Sequence, residues 1–176
     1  MRIVGGKFKS IRFRPPKGFT SRPTTDFAKE GLFNVLSHRS NLEDIEVADL
    51  FCGTGNITFE FLSRGSKVVS VDSNFKCIGY IKDTAKKLGV GEKSHPVKMD
   101  VNRFIEDTVF QFDIVFIDPP FDNDKYVEII DKLFENNIVK ENGLLVVEHH
   151  KKKDFSNHPR FSFIKKYGNI TFSFFE

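Results

Sequence analysis

The sequence predicts an α/β fold, a mostly parallel doubly wound sheet that closes in an antiparallel hairpin. Three observations carry this reading. From about residue 46 to 147, short apolar runs alternate with segments of helical period. Two of those runs, Asp113–Ile117 and Gly143–Val147, are apolar throughout, the pattern of strands buried on both faces. The chain then ends in two strand-like runs, Phe161–Ile164 and Ile170–Phe174, around Lys166-Tyr-Gly-Asn169.

Taken in order, residues 1–14 set Arg2-Ile3-Val4 before a Gly5-Gly6 turn signal and Phe8, Ile11 and Phe13 after it. With basic residues between, this reads as a small β-hairpin or two short strands, with a basic face. Pro15, Pro16 and Gly18 break any regular element. Thr24-Thr25-Asp26 then offers N-caps to a helix through Ala28, Leu32, Val35 and Leu36, ending at about Ser37. Val47–Phe51 is a strand, and Ile57–Ser63 a helix closed by Gly65. Val68–Val71 is the next strand, followed by a helix with Ile78, Ile81, Ala85 and Leu88 on one face and Gly89 as its stop. Val97–Met99 is a short strand, and Tyr126, Ile130, Leu133 and Phe134 mark the last helix. With no internal repeat or low-complexity tract, residues 1–176 are expected to form one domain, with 1–20 a basic hairpin extension and 21–176 the core.

Composition is that of a globular protein, with 39% hydrophobic and 29% charged residues. A net charge of +3 is too small to demand a polyanionic partner, but its distribution is uneven. Arg2, Lys7, Lys9, Arg12, Arg14, Lys17 and Arg22 all precede the first acidic residue, Asp26, and such a one-signed stretch suits phosphate contact. Cys52 and Cys77 supply neither a disulfide framework nor paired metal-ligand spacing, and no metal is expected. No apolar run approaches the roughly 20 residues that span a bilayer, and no secretory signal pattern opens the chain. The expected compartment is the cytoplasm, with no membrane partner.

Two motifs carry chemistry. In Asp49-Leu-Phe-Cys-Gly-Thr-Gly-Asn56 a strand runs into a two-glycine turn and a helix starts at once, so a ligand can approach the backbone. Asp72 ends the next strand, where a carboxylate can accept from both ribose hydroxyls of a nucleoside. A dinucleotide turn would place a third glycine at position 58, which is Thr58. Acidic Asp49 also suits a cationic sulfonium cofactor better than a pyrophosphate.

The second motif, Asp118-Pro119-Pro120-Phe121, follows the strand Asp113–Ile117, whose carboxyl end lines the ligand crevice. Asp118 and the Pro119 carbonyl can accept both hydrogens of an exocyclic amine, while Phe121 can stack on the base. Pro120 completes a stiff turn without an amide hydrogen. These contacts would align the nitrogen with a methyl donor, and Asp118 would act as base or hydrogen-bond acceptor.

With these motifs in view, the chain resembles the bacterial 16S ribosomal RNA guanine-N2 methyltransferases, within the class I S-adenosylmethionine-dependent group. The resemblance covers nearly the whole sequence. It includes Arg2-Ile-Val-Gly-Gly6, Arg22-Pro-Thr-Thr-Asp26 with Lys29-Glu30, Leu32-Phe-Asn-Val-Leu36, the turn Asp49 to Gly55, Leu62-Ser-Arg-Gly65 and Asp118 to Phe121. Arg22-Pro-Thr-Thr25 is the narrowest of these markers, and the turn departs from the family pattern at Cys52, Thr54 and Asn56. It implies a Rossmann-like class I methyltransferase sheet and S-adenosylmethionine as cofactor, with S-adenosylhomocysteine as product. Asp49, Phe51, Gly53 and Gly55 would bind that cofactor towards its methionine end, Asp72 its ribose, and Asp100 with Val101 would flank the adenine. Arg22, Pro23 and Thr24 would lie over the active site, and Arg2, Lys7, Lys9, Arg12 and Arg14 would grip RNA. The implied substrate is helical 16S ribosomal RNA in the small subunit or an assembly intermediate, met by a monomer.

Other readings stay open at this level. Adenine N6 methylation of RNA or DNA uses the same kind of box, although a sequence-specific DNA enzyme needs a recognition region for which this chain has little room. Amide methylation of a glutamine side chain can use it as well. A non-catalytic RNA-binding assembly factor would not need Asp49, Gly53, Gly55, Asp72 and Asp118 together. A nicotinamide-dependent reductase is disfavoured by Thr58 and by the Asp-Pro-Pro-Phe box. His149-His150 and Lys151-Lys152-Lys153 read as a solvated loop, Cys52 as packing, and Asp122 and Asp124 as helix-start residues favoured by the dipole.

Overall fold

A computed structural model of the chain describes residues 1–15, 24–120 and 125–176. Seven strands form one sheet: β1 (Glu46–Leu50), β2 (Lys67–Asp72), β3 (Ser94–Lys98), β4 (Phe112–Ile117), β5 (Val139–His150), β6 (Phe161–Tyr167) and β7 (Ile170–Phe175). Their order is β3-β2-β1-β4-β5-β7-β6. The first five run parallel, and β7 lies antiparallel between β5 and β6. The doubly wound sheet and its C-terminal hairpin are therefore as expected. Strand order reverses between β1 and β4, which opens a crevice beyond their carboxyl ends.

Because side chains alternate along each strand, the sheet sorts its apolar residues into two cores. Val47, Ile114 and Val146 face α1 (Asp26–Arg39), α2 (Thr58–Ser63) and α3 (Phe75–Lys87), meeting Leu32, Leu36, Phe59, Leu62 and Ile81. Ala48, Val115 and Val147 face α4 (Val101–Asp107) and α5 (Tyr126–Glu135), meeting Phe104, Ile105, Ile129, Ile130 and Leu133. Helix α1 is capped by Thr25, whose hydroxyl accepts from the Ala28 amide at 3.2 Å. It runs two residues beyond the expected Ser37, to Arg39.

Three elements differ from the sequence reading. Helix α4 was not foreseen, since seven residues hold barely two turns of period; its buried Val101, Phe104 and Ile105 still follow helical spacing. Strand β5 is longer than Gly143–Val147 and takes in His149 and His150, because β7 pairs with it as far as His150–Ile170. These histidines are thus strand residues, His149 buried, and only Lys151–Lys153 belong to the following loop. At the N-terminus the hairpin survives in reduced form, as one antiparallel bridge between Arg2 and Arg12. The Ile3 amide donates to the Ile11 carbonyl and the Phe13 amide to the Met1 carbonyl, at 3.0 and 2.9 Å. The Lys9 amide donates to the Gly6 carbonyl at 3.2 Å, so Gly6, at a φ of 74°, opens the turn between the bridged segments. A Cβ on Gly6 would lie 2.1 Å from the Ser63 carbonyl oxygen, so the glycine lets this arm press against the end of α2.

Candidate active site

The turn after β1 is shaped by unusual backbone as well as by missing side chains. Phe51, Gly53 and Gly55 all have positive φ, at 61°, 51° and 79°. For phenylalanine this is a strained conformation, of the kind that concentrates at ligand-binding turns. A Cβ on Gly55 would stand 2.9 Å from Ile81 and 3.0 Å from Phe59, so α2 and α3 both close on that glycine. Asp49 ends β1 almost fully buried and accepts the Thr58 hydroxyl, which also lies 3.0 Å from the Ser70 hydroxyl. Thr58, where a dinucleotide turn would have glycine, is the residue that orients the acidic side chain. Burial pushes the Asp49 carboxyl up to about 7 despite the Thr58 hydrogen bonds, and nearby Asp72 adds to the effect.

Asp72, at the end of β2, is bound to the same turn. Its carboxylate accepts from the Gly53 amide at 2.9 Å and, through the other oxygen, from the Asn74 amide at 2.8 Å. Each oxygen keeps a lone pair for a ligand hydroxyl. Asp100 caps α4, with one oxygen accepting from Asn102 and Arg103 amides at 2.9 and 3.2 Å. Val101 beside it is buried. Cys52 is also buried, and desolvation first, then Asp49 and Asp72, drive its thiol well above the usual value. It is an inert packing residue, as expected.

Across the crevice, the Asp118 amide meets the Leu50 carbonyl at 3.4 Å, so the Asp-Pro-Pro turn leaves β4 alongside the end of β1. Pro119 is buried and Pro120 exposed. The Tyr126 hydroxyl donates to the Pro119 carbonyl at 3.3 Å, which anchors the turn to α5 and leaves that oxygen's second lone pair available. Glu148, near the end of β5, is a site residue that the sequence did not reveal. It is buried and accepts the Thr24 hydroxyl at 2.7 Å. Burial raises its carboxyl to about 7, with Asp49 contributing. Burial first, then Glu148 and Asp49, hold the Asp118 carboxyl well above the ordinary carboxylate range. Asp49, Asp118 and Glu148 thus form an acidic cluster that no lysine or arginine among the described residues offsets. Such a donor set fits a net-cationic ligand, which would stabilise the ionised carboxylates.

A second unforeseen group joins the N-terminal arm to the turn. Lys29 of α1 is 1% exposed, and its ammonium lies 3.0 Å from Glu60 and 3.1 Å from the Asn56 side-chain oxygen. It also donates to the Arg2 carbonyl. Asn56 in turn donates to the Thr24 carbonyl at 2.9 Å, while Glu60 accepts the Val4 amide and the Arg64 guanidinium, both at 2.8 Å. The only sequence signal was a charged residue one step from Ala28 on the helix face that buries Leu32 and Leu36.

The expected RNA-binding residues divide between two places. Arg2, Arg12, Arg14 and Thr24 line one cleft of about 580 Å³ together with Asn56. Arg2 pairs with Asp26 at 2.8 Å, while Arg12 and Arg14 are exposed. Lys7 instead lines a separate cleft of about 850 Å³ beside Arg64 and Lys93, before the amino ends of β2 and β3, and Lys9 is exposed. Arg22, Pro23 and Phe121 lie outside the described residues, as do Lys17, Asp122 and Asp124.

A family model described as conserved hypothetical protein 95 matches residues 1–176. Ribosomal RNA small subunit methyltransferase D of Haemophilus influenzae is 31% identical over 170 residues, covering 94% of this chain and 87% of its own length. The Escherichia coli protein of the same name is 31% identical over 151 residues, covering 84% and 74%. Among solved structures, an Escherichia coli protein aligns with a TM-score of 0.85 at 25% identity, over 99% of this chain and 96% of that one. The likeness of fold extends to the magnesium protoporphyrin IX methyltransferase of Synechocystis, solved with bound SAM, at a TM-score of 0.63 and 16% identity over 83% and 75% of the two chains. The chain therefore belongs to the conserved hypothetical protein 95 family, the family of the small-subunit ribosomal RNA methyltransferase D proteins, within the class I S-adenosylmethionine-dependent methyltransferases.

Proposed function

We propose that this protein methylates ribosomal RNA with S-adenosylmethionine, and that its target is the exocyclic N2 of a guanine in the 16S RNA of the small subunit. The observation that carries the reading is Asp118 at the carboxyl end of β4, half-buried beside a Gly-rich turn and sharing an acidic environment with Asp49 and Glu148. The relatives' names support the substrate class. Neither observation selects guanine, which rests on the resemblance of the Arg22-Pro-Thr-Thr25 segment.

In this reading Asp49 binds the cofactor's cationic methionine end, and Phe51, Gly53 and Gly55 let the chain approach it closely. Asp72 accepts from the ribose, while Asp100 and Val101 border the adenine. S-adenosylmethionine supplies a methyl group on a positively charged sulfur. Asp118 and the Pro119 carbonyl accept the two amine hydrogens, holding the nitrogen lone pair in line with that methyl carbon. Asp118 would take the proton that the amine nitrogen must lose on accepting the methyl group the cofactor would supply. Pro120 stiffens the turn and Phe121 stacks on the base. Arg22, Pro23 and Thr24 cover the site, and Arg2, Lys7, Lys9, Arg12 and Arg14 contact RNA from the 1–20 extension of a 21–176 core. The protein works in the cytoplasm as a monomer.

The test is transfer of labelled methyl to small ribosomal subunits that lack the modification, followed by nucleoside analysis. N2-methylguanosine is the expected product, and N6-methyladenosine would discard the guanine assignment while keeping the chemistry. Asp118→Ala should lower turnover by about a hundredfold or more, with S-adenosylhomocysteine still raising the melting temperature. Near-normal turnover would remove Asp118 from the mechanism.

A further inference from the structure

Beyond the acidic crevice, the end of the sheet carries a pocket of opposite character. His149 of β5, Ser173 and Thr171 of β7 and Lys166 of β6 share one sheet face, since His149 registers with Thr171 and Lys166 with Thr171. The loop after β5 covers this floor and encloses about 390 Å³. Lys151, Lys152 and Lys166 line the pocket, are exposed, and form no ion pair among the described residues. Asp154 is the one acid in the lining. Its oxygens accept from the Ser156 amide and hydroxyl at 3.0 and 3.1 Å, and this one carboxylate shares the lining with four lysines, Lys151, Lys152, Lys153 and Lys166.

The hydrogen bonds of the floor leave one donor, the Thr171 hydroxyl, for an acceptor. His149 lies 3.0 Å from the His150 carbonyl through Nδ1, and a carbonyl can only accept, so Nδ1 carries the hydrogen. Its Nε2 then accepts the Ser173 hydroxyl at 2.7 Å. Burial lowers the imidazole pKa and favours this neutral form. Thr171, 2% exposed, has a hydroxyl with no hydrogen-bond partner among the described residues. A buried hydroxyl left unpaired is costly, and it marks a place where a ligand atom belongs. The pocket also touches the methyl-transfer side. Lys153 lies 4.7 Å from the centre of the Tyr126 ring, and the Tyr126 hydroxyl donates to the Pro119 carbonyl.

We infer that this pocket holds a backbone phosphate of the RNA substrate, with the Thr171 hydroxyl donating to a phosphate oxygen and Lys151, Lys152 and Lys166 balancing its charge. Phosphate contacts of this kind fix the register of a nucleic acid without reading its sequence. The inference rests on the RNA-methyltransferase reading of the neighbouring site. It adds an anchor on the sheet face opposite that of Glu148, which binds Thr24 of the Arg12 and Arg14 cleft.

The test is binding of a 16S RNA fragment to the full-length chain across a salt series. Thr171→Val removes the hydroxyl and keeps the shape. It should weaken binding about tenfold, and Lys151→Ala/Lys152→Ala should shallow the plot of log affinity against log salt by about one for each phosphate no longer neutralised. Because the hydroxyl has no internal partner, Thr171→Val should melt at or above the wild-type temperature. Inorganic phosphate at constant ionic strength should protect the wild type against heat more than it protects Thr171→Val. Unchanged RNA affinity and slope in the variants would overturn the proposal, as would phosphate protection without any effect on RNA. A Thr171→Val protein that melts lower while losing RNA affinity would also overturn it, by making the hydroxyl structural. Methyl transfer by the same preparations separates the two readings. Wild-type transfer with variants that bind RNA normally sinks the phosphate site alone. Thr171-dependent RNA binding without methyl transfer sinks the enzyme reading alone.

Discussion

Replacing Asp49 by Asn removes one charge from the acidic crevice while keeping an oxygen for the Thr58 hydroxyl. In the wild-type protein the carboxyl titrates at about 7, against 3.8 when unfolded. A folded-state value above the unfolded one means that the folded protein holds the proton longer. Its stability is fully present below the unfolded value and is lost as pH rises through the folded value. At about 1.4 kcal/mol per pH unit, the full loss is about 4 kcal/mol, of which about 3 kcal/mol falls between about pH 5 and about pH 8. Asp49→Asn should therefore gain about 3 kcal/mol relative to wild type on moving between those two conditions, measured by urea unfolding without cofactor. The same variant should lose affinity for S-adenosylmethionine, whose positive charge the carboxylate would balance. Wild-type affinity should rise as pH passes through about 7, with proton release visible by calorimetry in buffers of different ionisation heat. A stability difference independent of pH would refute the idea that the crevice stores uncompensated charge.

Two further outcomes test the arm and its anchor. Lys29→Met should destabilise the protein by about 3 kcal/mol, because Glu60 would keep only Arg64 as a cationic partner in a buried setting; denaturant unfolding with a loss below about 1 kcal/mol would show that Arg64 suffices. Replacing Arg12 and Arg14 by Ala should weaken RNA binding chiefly at low salt, lowering the salt slope by about two, while melting stays within a degree or so of wild type because both side chains are exposed. Loss of affinity equal at every salt concentration would point to misfolding of the arm.

The mostly parallel sheet and the position of the crevice were legible because buried parallel strands write themselves as unbroken apolar runs, and Asp113–Ile117 and Gly143–Val147 did so. The Gly-rich turn and Asp118 were legible because glycine and proline act locally. What escaped was non-local. Glu148 looks like the polar end of a strand until Thr24, over a hundred residues away, is seen bonded to it. Lys29 and Glu60 are ordinary helix residues in sequence, and only the packing of α1 on α2 buries both. Gly5-Gly6 was legible as a turn signal, while its close approach to Ser63, more than fifty residues away, was not. Helix α4 was too short to display a period, and the capping role of Asp100 shows only in its bonds to the Asn102 and Arg103 amides.

The contacts of the N-terminal arm have a practical consequence for anyone handling this protein. The arm's Val4 amide and Arg2 carbonyl complete the coordination of Glu60 and Lys29, and its terminal ammonium donates to the Phe13 carbonyl at 3.1 Å. A purification tag fused ahead of Met1 replaces that ammonium with an amide, and trimming the first residues strips partners from two charges that have no water to turn to. An RNA-binding defect in a shortened version could then arise inside the cofactor turn, through Asn56, with every exposed arginine still in place.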